Sequence, residues 1–188
     1  MPAMLAGGAA LVLLLLIIGA VFISNRAGNG GAGGSSPEQA LVAAGCTFKT
    51  YKDLGQKHVE SYDAKVSYNS TPPTSGPHHV QPVIWGAYSE PVERVQEVHN
   101  LEHGGVVIHY GDKVDAATQE KLRGFYNDSP NAVLLAPLPT LGSKISLTSW
   151  TRLATCETYD EKALAAFRSA YRGNGPERFR IGDLVPGT

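Results

Sequence analysis

The chain has 188 residues, of which 43% are hydrophobic and 18% charged, a composition that excludes a fully disordered chain and a collagen-like repeat. Sixteen lysine and arginine residues against 17 aspartate and glutamate residues give a net charge of −1. No basic block interleaves with aromatic residues, so we expect no nucleic-acid partner.

The first predicted element is a transmembrane helix. Ala3 to Ile23 contains no charged side chain and, at about 1.5 Å per residue, is long enough to cross a roughly 30 Å hydrocarbon layer. A cleaved signal peptide is the alternative, but no basic residue precedes the run and no small-x-small pattern ends it. We predict a membrane anchor over residues 1–25, a Gly-rich linker over residues 26–36 and a globular domain over residues 37–188.

The two cysteines, Cys46 and Cys156, lie far apart in the globular domain, and neither belongs to a C-x-x-C pair. We predict that they form a disulfide bond, which closes a loop of about 110 residues and stabilises the fold by about 4 to 5 kcal/mol. Two separate buried thiols are the alternative. Because disulfides persist outside the cytosol, the bond predicts that the globular domain is extracytoplasmic. Together with the predicted anchor, it predicts a single-pass cell-membrane protein with its C-terminal domain outside the cytoplasm.

The globular domain begins with a short predicted helix, with Ser36 as N-cap, Gln39 completing a capping box and Gly45 as the stop. Between Thr47 and Glu97 the sequence predicts short extended pieces. Within them, prolines and a glycine make Tyr68–His79 an ordered loop without regular structure.

The second half has clearer periodicity. It predicts a strand at Val106–Tyr110, a helix at Ala116–Tyr126, strands at Ala132–Ala136 and Ile145–Trp150, and a helix that Asp160 caps and Gly173 ends. This β-α-β-β-α order predicts an α+β domain, with helices packed on a small mixed β-sheet. The same order closes a thioredoxin-like fold, but the C-x-x-C motif of that fold is absent here.

The six histidines of the chain all lie in the region 58–109. They are His58, His78, His79, His99, His103 and His109. Neutral imidazole is a common ligand of transition metals and titrates near neutral pH, so the cluster predicts a metal or proton-transfer site. The alternative is a set of separate histidines, each bonded to a backbone carbonyl.

The segment HNLEHGG is the most specific unit. A separation of four places His99 and His103 on one side of either a helix or a strand, whereas Glu102 joins them only in a helix. Gly104 and Gly105 end a helix and permit another backbone to approach closely. We interpret His99 and His103 as binding a metal together or lining one polar site, with structural roles as the alternative.

The segment PPTSGPHH is the second unit. Its three prolines restrict the backbone, so His78 and His79 can be held in place at little entropic cost. A surface loop with incidental histidines is equally compatible. His58 is isolated, and His109 faces the side of His103 only if one strand contains both.

These residues resemble a known family. PPTSGPHH, the stretch Trp85-Gly86-x-Tyr88 and VHNLEHGGVVIHY are similar to the bacterial and archaeal family catalogued as domain of unknown function 3105, over roughly Cys46 to Trp150. The resemblance implies no activity, but it is consistent with an anchored, extracytoplasmic layout. It marks as motif positions Gly76, Pro77, His78, His99, Glu102, His103 and Gly104.

Three functions are compatible with these features. The first is a metal site with ligands His78, His99 and His103, completed by His58 or Glu102; with no thiolate available, Zn or Cu(II) is expected. The second is a zinc-dependent hydrolase, because HxxEH matches inverted zinc peptidases in which the Glu is the general base, although the double glycine stops the long helix that such enzymes need. The third is a non-catalytic envelope module that binds a membrane-protein partner.

Overall fold

A mixed β-sheet forms the centre of the part of the chain that the computed structural model describes, residues 36–188. The strands are β1 (Thr47–Thr50), β2 (His58–Val59), β3 (His78–His79), β4 (Val106–Tyr110), β5 (Val133–Pro137), β6 (Ile145–Ser149) and β7 (Arg152–Cys156). The helices are α1 (Pro37–Ala43), α2 (Arg94–Glu102), α3 (Ala116–Asp128) and α4 (Glu161–Tyr171), with short 3-10 turns at Pro139–Leu141 and Ile181–Asp183. The predicted α+β class is confirmed for this region.

The predicted membrane anchor and all but the last residue of the predicted linker lie outside the described residues. Within residues 36–188, no helix combines the length and the apolar character that crossing a bilayer requires.

Five strands form the main sheet, in the spatial order β1-β7-β6-β4-β5. β4 and β5 are parallel and are connected through α3, whereas every other pair is antiparallel. In the register, Ile108 of β4 lies opposite Leu135 on one side and Leu147 on the other. β4 is therefore a central strand, and all five of its residues are buried.

The sheet is covered on both faces. One face packs against α1, α3 and α4, and its core includes Leu41, Ile108, Leu122, Leu135, Leu147, Leu164 and Phe167. The other face packs against α2, and its core includes Trp85, Val98, Leu101, Val107 and Leu134. Because a strand alternates its side chains, Val107 and Ile108 point to opposite cores.

One strand was missed by the sequence reading. β7 follows β6 after a short turn, so the observed order of the second half is β-α-β-β-β-α. The segment Arg152–Cys156 mixes charged, apolar and hydroxyl side chains and has little strand pattern of its own. It becomes a strand because β6 and β1 pair with it on both sides, and this pairing depends on tertiary structure.

The capping box at the start of α1 matches the sequence prediction. The Ser36 hydroxyl accepts a hydrogen bond from the Gln39 backbone N–H at 3.2 Å, and the Gln39 side chain accepts one from the Ser36 N–H at 2.9 Å. Gly45 follows with a φ of 77°, a conformation that glycine adopts without strain. The predicted disulfide between Cys46 and Cys156 is confirmed, and it joins the end of the α1 segment to the last residue of β7.

A second, smaller sheet lies beside α2. β2 and β3 pair in parallel with only two residues each, His58 opposite His78 and Val59 opposite His79. The predicted loop Tyr68–His79 is therefore irregular except for its last two residues. This short pairing brings together two histidines that are 20 positions apart in the chain.

Helix α2 is the element on which the rest of the site depends. Val98 and Leu101 hold it against the main sheet, and the carboxylate of Glu97 lies 2.6 Å from Nε2 of His109 on β4. The amide of Asn100 accepts from the Val83 N–H at 2.9 Å and donates to the Val83 carbonyl at 2.8 Å. These buried contacts determine the position of the helix.

Candidate metal centre

Three histidines and one glutamate meet between the β2–β3 pair and the C-terminal turn of α2. The donor atoms of His58, His78, His99 and Glu102 all lie within 4.8 Å of one another. From Glu102 Oε2, the Nε2 atoms lie at 3.3 Å for His58, 2.9 Å for His78 and 3.9 Å for His99. A tetrahedral zinc ion with its usual bond lengths places neighbouring ligand atoms about 3.3 Å apart. We call these four residues the inner set.

The other ring nitrogens show how two of these imidazoles are oriented. Nδ1 of His78 lies 2.8 Å from the Gly76 carbonyl, and Nδ1 of His99 lies 2.8 Å from the His79 carbonyl. A carbonyl only accepts, so both Nδ1 atoms carry the proton and donate it. In the neutral rings, the lone pairs of His78 and His99 are therefore on Nε2, the atoms that converge. Backbone carbonyls orient metal-binding histidines in this way in many proteins.

This arrangement places acceptors against each other. The Nε2 lone pair of His78 faces the carboxylate oxygen of Glu102 at 2.9 Å, and both groups are fully or almost fully buried. Two facing acceptors in a buried place repel each other unless a positive charge, either a proton or a metal ion, accompanies them. The inner set therefore needs a positive charge, and its four donor atoms could hold a metal ion.

Burial also determines the protonation of the α2 histidines. Burial lowers the pKa of His99 below its ordinary value, an effect that the His79 carbonyl partly offsets. Burial, followed by the neighbouring His99, lowers the pKa of His103 to about 4. Both rings are thus neutral at pH 7, which is the form that binds metals.

The proline-rich loop holds His78 through contacts with the segment before β2. The Ser75 hydroxyl accepts from the Leu54 N–H at 3.1 Å, and the Gly76 N–H donates to the Gly55 carbonyl at 3.1 Å. The Tyr68 hydroxyl donates to the Pro77 carbonyl at 2.8 Å. These bonds tie the loop to residues 54–55 and so fix the His78 backbone close to His58.

The HNLEH segment is helical, which resolves the alternative that the sequence left open. His99 and Glu102 lie in the last turn of α2, and His103 is its C-cap. Gly104 follows with a φ of 88°, and a Cβ at Gly105 would overlap the ring of Trp85. The two glycines end the helix and allow close approach, as predicted, so that Glu102 lies on the same side as His99.

A second group of donors shares one histidine with the inner set. His99, His103 and Glu177 have donor atoms within 4.8 Å of one another. Nε2 of His103 lies 2.9 Å from Nε2 of His99 and 3.1 Å from Oε2 of Glu177. We call these three residues the outer set. Sequence reasoning missed Glu177, because it lies in a Pro- and Gly-rich coil more than 70 residues after His103, without a recognisable motif.

The two remaining histidines belong to neither group among the described residues. His79 accepts from the Gln81 N–H at 3.0 Å, points its Nε2 to the Glu60 carbonyl at 3.2 Å and stacks on Tyr62. His109 pairs with Glu97 beneath α2. Its strand does not include His103, so the common face considered from the sequence does not form.

Comparison with known families agrees with the motif blocks. Residues 58–181, about two thirds of the chain, match the family described as Protein of unknown function (DUF3105). The chain belongs to this family. No curated protein and no solved structure gave a significant match.

The matched region contains every residue of both donor groups. His58 is its first residue, and Glu177 lies four residues before its end. Cys46 lies outside it, so the disulfide joins a residue before the family region to one within it. The candidate centre is thus built wholly from the part of the chain that defines the family.

The geometry bears on the hydrolase hypothesis. In the HxxEH arrangement, both histidines bind one ion and the glutamate remains free to act on a water molecule. Here Glu102 Oε2 lies among the Nε2 atoms of the inner set, and His103 lies with Glu177 instead. The carboxylate is in the place of a ligand, so the spacing alone does not support the peptidase role.

Proposed function

We propose that this domain binds one divalent first-row transition-metal ion through His58, His78, His99 and Glu102. The observation that carries the proposal is the convergence of four donor atoms in a buried place, where two imidazoles present Nε2 lone pairs beside a carboxylate. A metal ion satisfies these acceptors together, whereas one proton satisfies a single pair.

Zinc is the ion that this ligand set suits best. Three imidazoles and one carboxylate are nitrogen and oxygen ligands that zinc accepts. The distances from Glu102 Oε2 to the three Nε2 atoms, 3.3, 2.9 and 3.9 Å, lie around the distance of about 3.3 Å between neighbouring ligand atoms of a tetrahedral zinc ion. Cu(II) accepts the same ligands and is the second candidate. Cu(I) is disfavoured because both cysteines are in the disulfide, which leaves no thiolate.

The ion would act first as a structural link. The β2–β3 pair has only two residues in each strand and does not join the main sheet. A bound ion would connect it to α2 through four ligands, which is typical of closed structural sites. His58 is the exception, because 43% of its side chain is exposed, so it is the ligand that an incoming molecule could replace.

Elemental analysis of the purified full-length protein tests the proposal. We expect about one equivalent of zinc in the wild type and less than a tenth of that in His99→Ala, because His99 supplies a buried ligand. His79→Ala is the matched control, since the ring of this histidine contacts Gln81 and Glu60 rather than the inner set, and the variant should keep its metal. Equal, negligible metal in wild type and variants would remove the proposal. One equivalent of copper instead of zinc would identify Cu(II) as the bound metal.

We also propose that the domain works outside the cytoplasm, attached to a membrane by residues 1–25, with another membrane protein as its neighbour. The Cys46–Cys156 disulfide supports this location, because such bonds persist in oxidising compartments. Attachment through the Gly-rich segment 26–36 would keep the domain at a high effective concentration near proteins in the same membrane.

A C-terminal alkaline phosphatase fusion tests the location, since this reporter is active only outside the cytoplasm. High activity is expected, and activity of a matched β-galactosidase fusion instead would contradict it. Isolation in mild detergent should recover a stoichiometric membrane protein if the neighbour is a stable partner.

A further inference from the structure

The two sets reach solvent through different residues. In the inner set His58 is 43% exposed, while His78 and Glu102 are 0% and 2% exposed; in the outer set, His103 and Glu177 are 13% and 43% exposed. An ion that approaches from this side meets Glu177 and His103 before it meets the buried ligands. The only donor that the two sets have in common is His99.

The shared histidine can serve only one ion at a time. Its Nδ1–H donates to the His79 carbonyl, so only Nε2 is available for a metal. One ring nitrogen has one lone pair, so occupation of the outer position through His99 excludes its use in the inner position. The two positions are therefore alternatives for one ion.

We propose that His99, His103 and Glu177 form an outer cation position, through which a divalent metal ion passes to the inner site and returns from it. This inference rests on the proposed metal-binding function. The ion exchanges His103 and Glu177 for the inner ligands while it remains close to His99 Nε2. No redox change is involved, and His99 remains the common ligand.

The outer position is built by backbone contacts. The Gly173 N–H donates to the Gly104 carbonyl at 2.7 Å, and the Glu177 N–H donates to the Glu102 carbonyl at 3.1 Å. Gly175 packs so closely on residues 102–104 that a Cβ there would overlap their backbone. The C-terminal segment is thus held against the end of α2, and Glu177 is placed beside His103 by the fold.

The charge of Glu177 suits the capture of a hydrated cation. Its carboxylate is partly exposed, so it can attract a divalent ion from solution, whereas the carboxylate of Glu102 is buried. The His103 ring lies between this carboxylate and the shared histidine, with its Nε2 3.1 Å from Glu177 Oε2 and 2.9 Å from His99 Nε2. A carboxylate and an imidazole are a suitable first pair of ligands for zinc.

Metal exchange kinetics of the full-length protein test this inference. Glu177→Gln removes the charge but keeps a carbonyl oxygen that can accept from His103, so a purely structural hydrogen bond survives. We expect Co²⁺ uptake, followed by its visible absorption in stopped flow, and Co²⁺ release into excess EDTA both to slow by about tenfold. Because both rates change together, the equilibrium affinity should stay within about threefold of that of the wild type.

Glu120→Gln is the matched control, because it makes the same charge change at an exposed position of α3. It should leave both rates unchanged, and His103→Ala should reproduce the slow exchange. Slower uptake with unchanged release would indicate electrostatic steering alone and overturn the inference, as would unchanged rates or two ions bound to one chain. If the wild type binds no Co²⁺ or Zn²⁺, the proposed function fails as well.

Discussion

His78 and His79 are adjacent in the sequence and both buried, yet the structure gives them different surroundings. His78 Nε2 lies 2.9 Å from Glu102 Oε2 in the inner set, whereas His79 Nε2 points to the Glu60 carbonyl. Replacing each by alanine removes the same ring from neighbouring positions. We expect His78→Ala to lose metal-induced stabilisation and His79→Ala to keep it.

The size of the effect follows from linkage between binding and folding. At a free zinc concentration of 100 times Kd, binding adds about 2.7 kcal/mol to the free energy of unfolding. Mutation of a group that only orients a metal ligand weakens metal binding by up to about 100-fold. Loss of a ligand itself should weaken binding by at least as much. At the same zinc concentration, the increment for His78→Ala then falls to about 0.4 kcal/mol.

Thermal unfolding measures this difference. For a domain of about 150 residues, 1 kcal/mol corresponds to about 2 to 4 °C in Tm. We therefore expect zinc to raise Tm by about 5 to 10 °C in the wild type and in His79→Ala, and by about 1 °C in His78→Ala. Each protein is compared with itself in a chelator, so that a loss of packing does not enter the increment.

The comparison of each protein with itself in a chelator is needed because His79→Ala also affects the fold. Its ring stacks on Tyr62 with centroids 4.1 Å apart, so the metal-free variant should melt below the wild type. Equal zinc increments in the two variants would refute the assignment of His78 to the centre. So would a full increment in His78→Ala together with a lost one in His79→Ala.

Two further predictions concern the scaffold. Gly105→Ala should destabilise the protein by about 3 kcal/mol, because the new methyl group meets the Trp85 ring. Gly124→Ala in α3, where nothing lies within 4 Å of the new methyl group, should stabilise the protein by about 0.5 to 1 kcal/mol. Denaturant unfolding of both variants checks the two signs, and similar losses of stability in both would contradict the packing argument. Replacing Cys46 and Cys156 together by alanine should cost about 5 kcal/mol, because their separation of 110 residues closes a long loop; a midpoint in urea close to that of the wild type would contradict this.

Most of the helices and strands can be predicted from local sequence signals. The capping box at Ser36, the buried run Val106–Tyr110 and the Asp160 cap each involve residues a few positions apart, and the predicted elements lie where those signals are. Strand β7 has no such signal, because it forms only when β1 and β6 pair with it on both sides. Its absence from the sequence prediction therefore has a physical cause.

Some residues of the candidate centre can also be predicted from local sequence, whereas others are brought in only by tertiary structure. The cluster of histidines and the HNLEHGG pattern mark His99, Glu102 and His103 as a unit, since they are within one helical turn. His58 joins them only through the β2–β3 pairing, and Glu177 joins His103 only because a distant coil packs on the end of α2. The family resemblance marks His78 and not His79, but only the structure shows that the His78 ring faces Glu102 while the His79 ring faces Glu60.

The sequence by itself determined the chemistry available to this protein: an α+β domain, one disulfide, a set of imidazoles without a free thiolate, and a helix end that carries two histidines and a glutamate. Tertiary structure decided which donors meet. Short-range patterns specify what a segment forms. The meeting of His58 and His78 with His99, and of Glu177 with His103, depends instead on strand pairing and on packing between segments far apart in the chain.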